Sequence, residues 1–189
     1  MSTRKKKRKK EDDRTMSQPK DYHEQRLRAA IYRRTHAEPG SVNDRIPPQF
    51  ISCSDDGKIC TVSYALKPEM RNPMGWLHGG VTSAMFDMGM GLLVYYNAGF
   101  ALCPTASMTV NYLRPGRIGG SLIVRSEIVF QGRKIFHTSA QAWMEDDPDR
   151  LVATATASYI RSLPPGSDPA IQKDASDSKQ TEPAERKKI

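Results

Sequence analysis

The sequence predicts an α+β domain in which one buried helix packs on a curved antiparallel sheet. Three observations predict it. Residues 79–97 read as one long helix, apolar over most of its surface. Four strand-like segments follow, at 104–113, 121–130, 135–144 and 151–160, and a hairpin pattern at 50–54 and 59–66 precedes it. A single helix among strands joined by short turns belongs to the α+β class.

The elements follow in chain order. Over 21–36, Leu27, Ala30, Ile31 and Tyr32 recur at spacings of 3 and 4 with arginines elsewhere, which predicts a helix ended by Gly40. A loop with Pro47 and Pro48 comes next, then the hairpin, whose turn is Asp55-Asp56-Gly57-Lys58. Residues 68–76 are irregular and hold Pro73 and Gly75. In the long helix Val81, Ala84, Met85, Met88, Leu92 and Tyr95/Tyr96 give a wide apolar surface, and Gly89, Gly91 and Ala84 permit close backbone approach. The later strands break at Arg114-Pro115-Gly116, Gln131-Gly132-Arg133-Lys134 and Asp146-Asp147-Pro148-Asp149; the last three form a meander. Met85, Met108, Trp143 and Met144 read as core.

Charge divides the chain. Of 189 residues with net charge +8, the first twenty hold nine Lys/Arg against three acids, and 164–189 balance at five each. The basic character therefore sits in one tail, and 21–163 is a domain of ordinary size. Residues 1–20 and 164–189 are too polar to build a core and read as disordered tails. The run over 4–10 reads as a solvated block of like charge, with no nucleic-acid partner expected, and Met16 is an in-frame alternative start. Cys53, Cys60 and Cys103 are an odd number without zinc spacing, and the four histidines are scattered. This reads as reduced thiols, a cytoplasmic setting and no metal. The most apolar run, 85–96, contains Asp87 and is too short to span a bilayer.

The chemistry concentrates in Asn72-Pro73-Met74-Gly75-Trp76-Leu77-His78-Gly79-Gly80 and in Asp87. Two glycines at a helix start leave backbone N–H groups open to a ligand, where the helix dipole adds positive charge; such a site polarises a carbonyl. The same glycines also serve simply to turn the chain. Asp87 follows roughly two turns later among Phe86, Met88 and Leu92. A carboxylate partly buried there is either a base or nucleophile, or a structural acid paired with an arginine or a backbone N–H.

His-Gly-Gly opening a helix, an acid nine residues after the His, and a strand meander resemble the hotdog-fold thioesterases of the phenylacetic-acid-pathway type. Tyr112-Leu113-Arg114-Pro115-Gly116-Arg117 and Ala153-Thr154-Ala155-Thr156-Ala157-Ser158-Tyr159 look similar to bacterial medium- and long-chain acyl-CoA thioesterases. The resemblance covers roughly residues 49–161. It implies a hotdog fold and hydrolysis of acyl-CoA to a free acid and coenzyme A, with no cofactor beyond the coenzyme A of the substrate. It assigns Asp87 as base or nucleophile and the Gly79 N–H as carbonyl donor. Asn72 then lies near the carbonyl or water, His78 shapes the turn or helps hold the thioester, and Thr105 helps place the water. Coenzyme A contacts are implied along Tyr112, Arg114 and Arg117 and along Gln131, Gly132, Arg133 and Lys134. Met88 and Met90 suit an acyl-pocket wall. The resemblance also implies a homodimer or homotetramer with the site between protomers.

Three rivals stand beside it. Hydratases of this fold place Gly-Asp before Asn-Pro, where this chain has Met70-Arg71. A non-catalytic acyl-CoA-binding module would not need Asp87. The third is an interaction protein that uses the basic run on nucleic acid; within the thioesterase reading, an aryl-CoA ester is the alternative substrate.

Overall fold

In the computed structural model, residues 20–162 are described. The predicted tails, the basic run over 4–10 and Met16 lie outside the described residues. Helix α1 spans Lys20–Thr35, the single-turn α2 Val42–Arg45 and the long α3 Gly79–Asn97. The strands are β1 Gln49–Cys53, β2 Ile59–Ala65, β3 Thr105–Tyr112, β4 Ser121–Gln131, β5 Ile135–Met144 and β6 Asp147–Ile160. They form one antiparallel sheet in the order β1-β2-β4-β5-β6-β3. The α+β reading holds, and β4-β5-β6 is the predicted meander.

Helix α3 packs across β2, β3, β4, β5 and β6. Its buried side carries Met85, Phe86, Met90, Leu93 and Val94, which meet the inward residues Tyr64, Leu122, Val124, Phe136 and Tyr159. Gly89 lets the helix approach β4: a Cβ there would stand 3.3 Å from both Ser126 Oγ and Val124 Cγ1. On β6 the inward residues Ala153, Ala155 and Ala157 are small, which leaves room for the helix.

Helix α1 lies against α3 and β1. Leu27 and Ala30 are buried in the core. Tyr32 is not part of that apolar face: it is 66% exposed and stacks on His36. The arginines stack on rings instead of facing only water, Arg28 on Phe50, Arg33 on Phe100 and Arg34 on Tyr95. His23 Nδ1 meets the Tyr96 hydroxyl at 2.5 Å, tying α1 to the end of α3. Gly57, at φ +67, passes directly under that His ring, and its carbonyl accepts from Asn97 Nδ2 at 3.0 Å.

Three local readings are corrected. The loop before β1 contains α2, whose N-cap Ser41 accepts from the Asp44 N–H. The break read at residues 146–149 is shorter: β6 begins at Asp147, and the turn is Glu145-Asp146. Pro148 is tolerated because the β5–β6 register slips there, Met144 facing Asp147 while Trp143 faces Leu151. Trp143, read as core, is half-buried on the outward side of β5.

Candidate active site

One stripe of α3 is left half-buried by the sheet. It runs Gly79, Ser83, Asp87, Gly91 and Tyr95, each four residues after the last. The inner side of β3 faces this stripe, and two clefts open along it.

The first cleft, about 380 Å³, lies at the helix start, lined by Asn72, Trp76, Leu77, Gly79, Tyr112 and Arg114 among others. His78 is the N-cap of α3, its Nδ1 accepting from the Gly80 N–H at 3.0 Å. The Gly79 N–H, the first of the helix, has no carbonyl one turn back to donate to. Asn72 builds the preceding loop: its Oδ1 accepts from the N–H groups of Met74 at 2.9 Å and Trp76 at 3.1 Å. Tyr112, at the end of β3, donates its hydroxyl to the Gly79 carbonyl at 2.9 Å and meets Ser83 Oγ at 2.6 Å. The same ring lies 3.3 Å from where a Gly79 Cβ would be, so the helix start admits no larger residue without displacing it.

The second cleft, about 340 Å³, holds Asp87, Gly91, Leu102, Cys103, Pro104, Thr105, Tyr159 and Arg34. Thr105, the first residue of β3, donates Oγ1 to Asp87 Oδ1 at 2.6 Å. The Tyr159 hydroxyl reaches Asp87 Oδ1 at 3.4 Å and the Asp87 carbonyl at 3.3 Å. Burial first, and then the Asp87 charge, hold the Tyr159 phenol well above its ordinary value, so it stays a neutral donor.

Within the chain Asp87 and Gly79 do not meet. They lie in separate clefts, roughly two turns or about 12 Å apart along the helix at ~1.5 Å per residue. The expected coenzyme A segments also diverge. Tyr112 pairs with Ala153, whereas Gln131 pairs with Phe136, which pairs with Tyr159; the two segments end at opposite ends of the sheet. At the first end Arg114 Nη1 donates to the Leu151 carbonyl at 2.9 Å, and Arg117 forms an exposed ion pair with Asp146 at 2.7 Å. At the other end Gln131 Nε2 donates to the Asn97 carbonyl at 3.3 Å, and Gly132 closes the turn through Ile135. Arg133 and Lys134 are exposed and join no ion pair among the described residues.

Met90 is not a pocket wall. It is fully buried and accepts from the Thr138 hydroxyl at 3.1 Å, so it belongs to the core; Met88 is half-buried. Sequence reasoning missed three residues. Tyr159 was legible, since alternation along Ala153, Ala155 and Ala157 puts it on the inner side. Ser83 was legible as the residue midway between Gly79 and Asp87 on the α3 stripe. Arg34 carried no local signal; only the packing of α1 brings it to the cleft that Asp87 lines.

Comparison with known proteins bears on the same stretch. Residues 74–151 match the family model described as the Thioesterase superfamily. Acyl-coenzyme A thioesterase THEM4 of Xenopus laevis is 36% identical over 98 residues, covering 51% of this chain and 42% of that protein. The chain thus spans less than half the length of that relative. Among solved structures, a putative phenylacetic acid degradation-related thioesterase from Ralstonia eutropha JMP134 aligns with TM-score 0.58 at 25% identity, covering 69% of this chain and 98% of that one. A hypothetical thioesterase from Streptococcus pneumoniae TIGR4, solved with coenzyme A, aligns with TM-score 0.54 at 23% identity, covering 61% and 88%.

Proposed function

The domain has the hotdog fold and its residues 74–151 match the thioesterase superfamily, and from that premise we propose that the protein hydrolyses acyl-CoA thioesters. The observation that carries the reading is the Asp87 carboxylate, hydrogen-bonded by Thr105 at 2.6 Å, on the same helix stripe as the open N–H of Gly79. A base and an oxyanion donor are the two groups thioester hydrolysis requires.

The two groups come together between protomers. Strand β3 is an edge of the sheet, eight residues long, and holds no charged residue and no proline. Such an edge favours pairing with another strand. A two-fold pair joined there sets Asp87 opposite Gly79 of the partner subunit and Asn72 of the partner subunit. Asp87 takes a proton from a water whose oxygen bonds to the thioester carbon, or attacks that carbon itself to form a mixed anhydride that water then hydrolyses. On either route the carbonyl becomes a tetrahedral oxyanion held by the N–H of the partner subunit's Gly79, collapse breaks the C–S bond, the coenzyme A thiolate takes up the proton, and the free acid is released. Thr105 orients Asp87 or the water. The coenzyme A of the Streptococcus pneumoniae structure supports this ligand, and Arg114, Arg133 and Lys134 are the cations offered to its phosphates. A medium or long acyl chain is the preferred substrate, an aryl acyl group the second, and the setting is cytoplasmic.

Free-thiol release from short, medium, long and aryl acyl-CoAs, with Asp87→Ala beside the native chain, tests the proposal. Turnover that collapses in Asp87→Ala sustains it. A folded dimer with no turnover on any ester leaves a binding module in its place.

A further inference from the structure

The second cleft is more polar than an aliphatic chain calls for. Beside the Asp87 carboxylate it carries Arg34, from a helix that lies outside the matched residues 74–151. Arg34 is half-buried, its guanidinium 5.5 Å over the Tyr95 ring at the far end of the α3 stripe. It joins no ion pair among the described residues, although Asp87 lines the same cleft. Arg161 stands close by: its charge and that of Arg34 both bear on the Cys103 thiol in the cleft wall. Arg161 hydrogen-bonds the Cys103 thiol and lies 5.5 Å over the Phe136 ring, while its buried Nε has no hydrogen-bond partner. The cleft thus sets the half-buried Arg34 guanidinium near one carboxylate with no ion pair to it, and Arg161 adds positive charge from behind the Cys103 wall. A half-buried cation without an ion pair gains a partner when an anion arrives with the ligand.

We propose that Arg34, with Arg161 beside it, selects acyl groups whose distal end is a carboxylate, so that the preferred substrate is a dicarboxylyl-CoA thioester. The inference rests on the thioesterase reading and narrows its substrate class. With the reacting carbonyl at Asp87, the acyl group continues toward Gly91, Leu102 and Cys103, where the arginine waits. Leu102 and Pro104 cover the methylenes, and the planar guanidinium takes the carboxylate in a forked pair. A methyl-ended chain of equal length would leave that cation unpaired.

The test compares adipoyl-CoA with hexanoyl-CoA, equal in chain length and different only at the end group. The native chain is expected to favour adipoyl-CoA in kcat/KM, and Arg34→Gln is expected to lower that preference about 10- to 100-fold. Arg34→Lys, which keeps the charge without the fork, falls between. A ratio is read, so a general loss of folding does not imitate the result. The same pair as pantetheine thioesters, without nucleotide phosphates, locates the anion: retained preference supports the acyl carboxylate. An equal loss on both coenzyme A esters that disappears with the pantetheine esters overturns the proposal and assigns Arg34 to a phosphate. Efficient hexanoyl-CoA turnover without any adipoyl preference overturns it while leaving the hydrolase reading intact. No thiol release from either ester by the native chain overturns both.

Discussion

Gly57→Ala is the substitution whose cost the structure specifies most directly. Gly57 turns the β1–β2 hairpin at φ +67, a conformation that costs an L-residue about 1–2 kcal/mol. Its new Cβ would also fall inside the van der Waals envelope of His23 Nδ1 and 3.0 Å from Tyr96 Cε1. The ring must move, which breaks the buried His23–Tyr96 hydrogen bond and strands both partners, a further loss of about 1–3 kcal/mol. The sum is about 2–5 kcal/mol, or roughly 5–15 °C in Tm for a chain of this size. The assay is denaturant unfolding at fixed protein concentration for the native chain, Gly57→Ala, His23→Ala and the double variant. With the ring removed, Gly57→Ala keeps only its backbone cost, so the cycle shows a coupling of about 1–3 kcal/mol. Additivity within about 0.5 kcal/mol would refute the claim that the glycine is required by the ring above it.

Three further outcomes follow from the same geometry. Thr105→Val removes the donor to Asp87 and lowers kcat/KM about 10- to 100-fold, while Thr105→Ser retains most activity; equal losses in the two would place the importance of Thr105 in packing instead. Asp56 is held below the ordinary carboxylate range, first by the Ser54 hydroxyl and also by the Lys58 N–H, against a smaller opposing effect of burial. Its folded value is depressed, so its contribution is present above the unfolded value of about 3.9 and fades as pH falls through the folded one. The stability gap between native and Asp56→Asn chains therefore narrows on acidification below pH 4, and a gap that widens there contradicts the assignment. The Cys60 thiol is pushed up to about 12 by burial first and then by Cys53. At pH 8 iodoacetamide labels Cys103 well before Cys60, as peptide mass mapping would show; comparable rates would mean the hairpin opens readily.

How far the molecule is legible in its sequence depends on the reach of each signal. Both ends of α3 are written locally. His78 caps one, and Gly99 at φ +70 with Phe100 at φ +66 breaks the other, so the predicted bounds match. The turn before β6 was overread because Asp146-Asp147-Pro148-Asp149 resembles a four-residue break, while the register slip that absorbs Pro148 depends on the opposing strand. Tyr32 stands five residues from Leu27 and two from Ala30, off the spacing of 3 and 4 that defines the buried face, and it is exposed. The catalytic candidates on α3 were visible as types at a spacing. Their separation along the helix is legible in that spacing, but the divergence of the two coenzyme A segments to opposite sheet ends follows only from strand order and register. Arg34 is the extreme case, far from Asp87 in sequence and in the same cleft only through the docking of α1.

The placement of Gly79 and Asp87 on one unbroken helix makes α3 a ruler. Inserting a single residue between them would turn the acid by about 100° and shift it about 1.5 Å, swinging it off the stripe and into the sheet or the solvent. The loops at 66–78 and 113–120 can lengthen without disturbing that measure. On the proposed function, what this domain must hand on unchanged is a length, counted in residues between the cap and the acid. The identities in between are free to drift so long as they keep the helix and the width of its seat on β4 and β6.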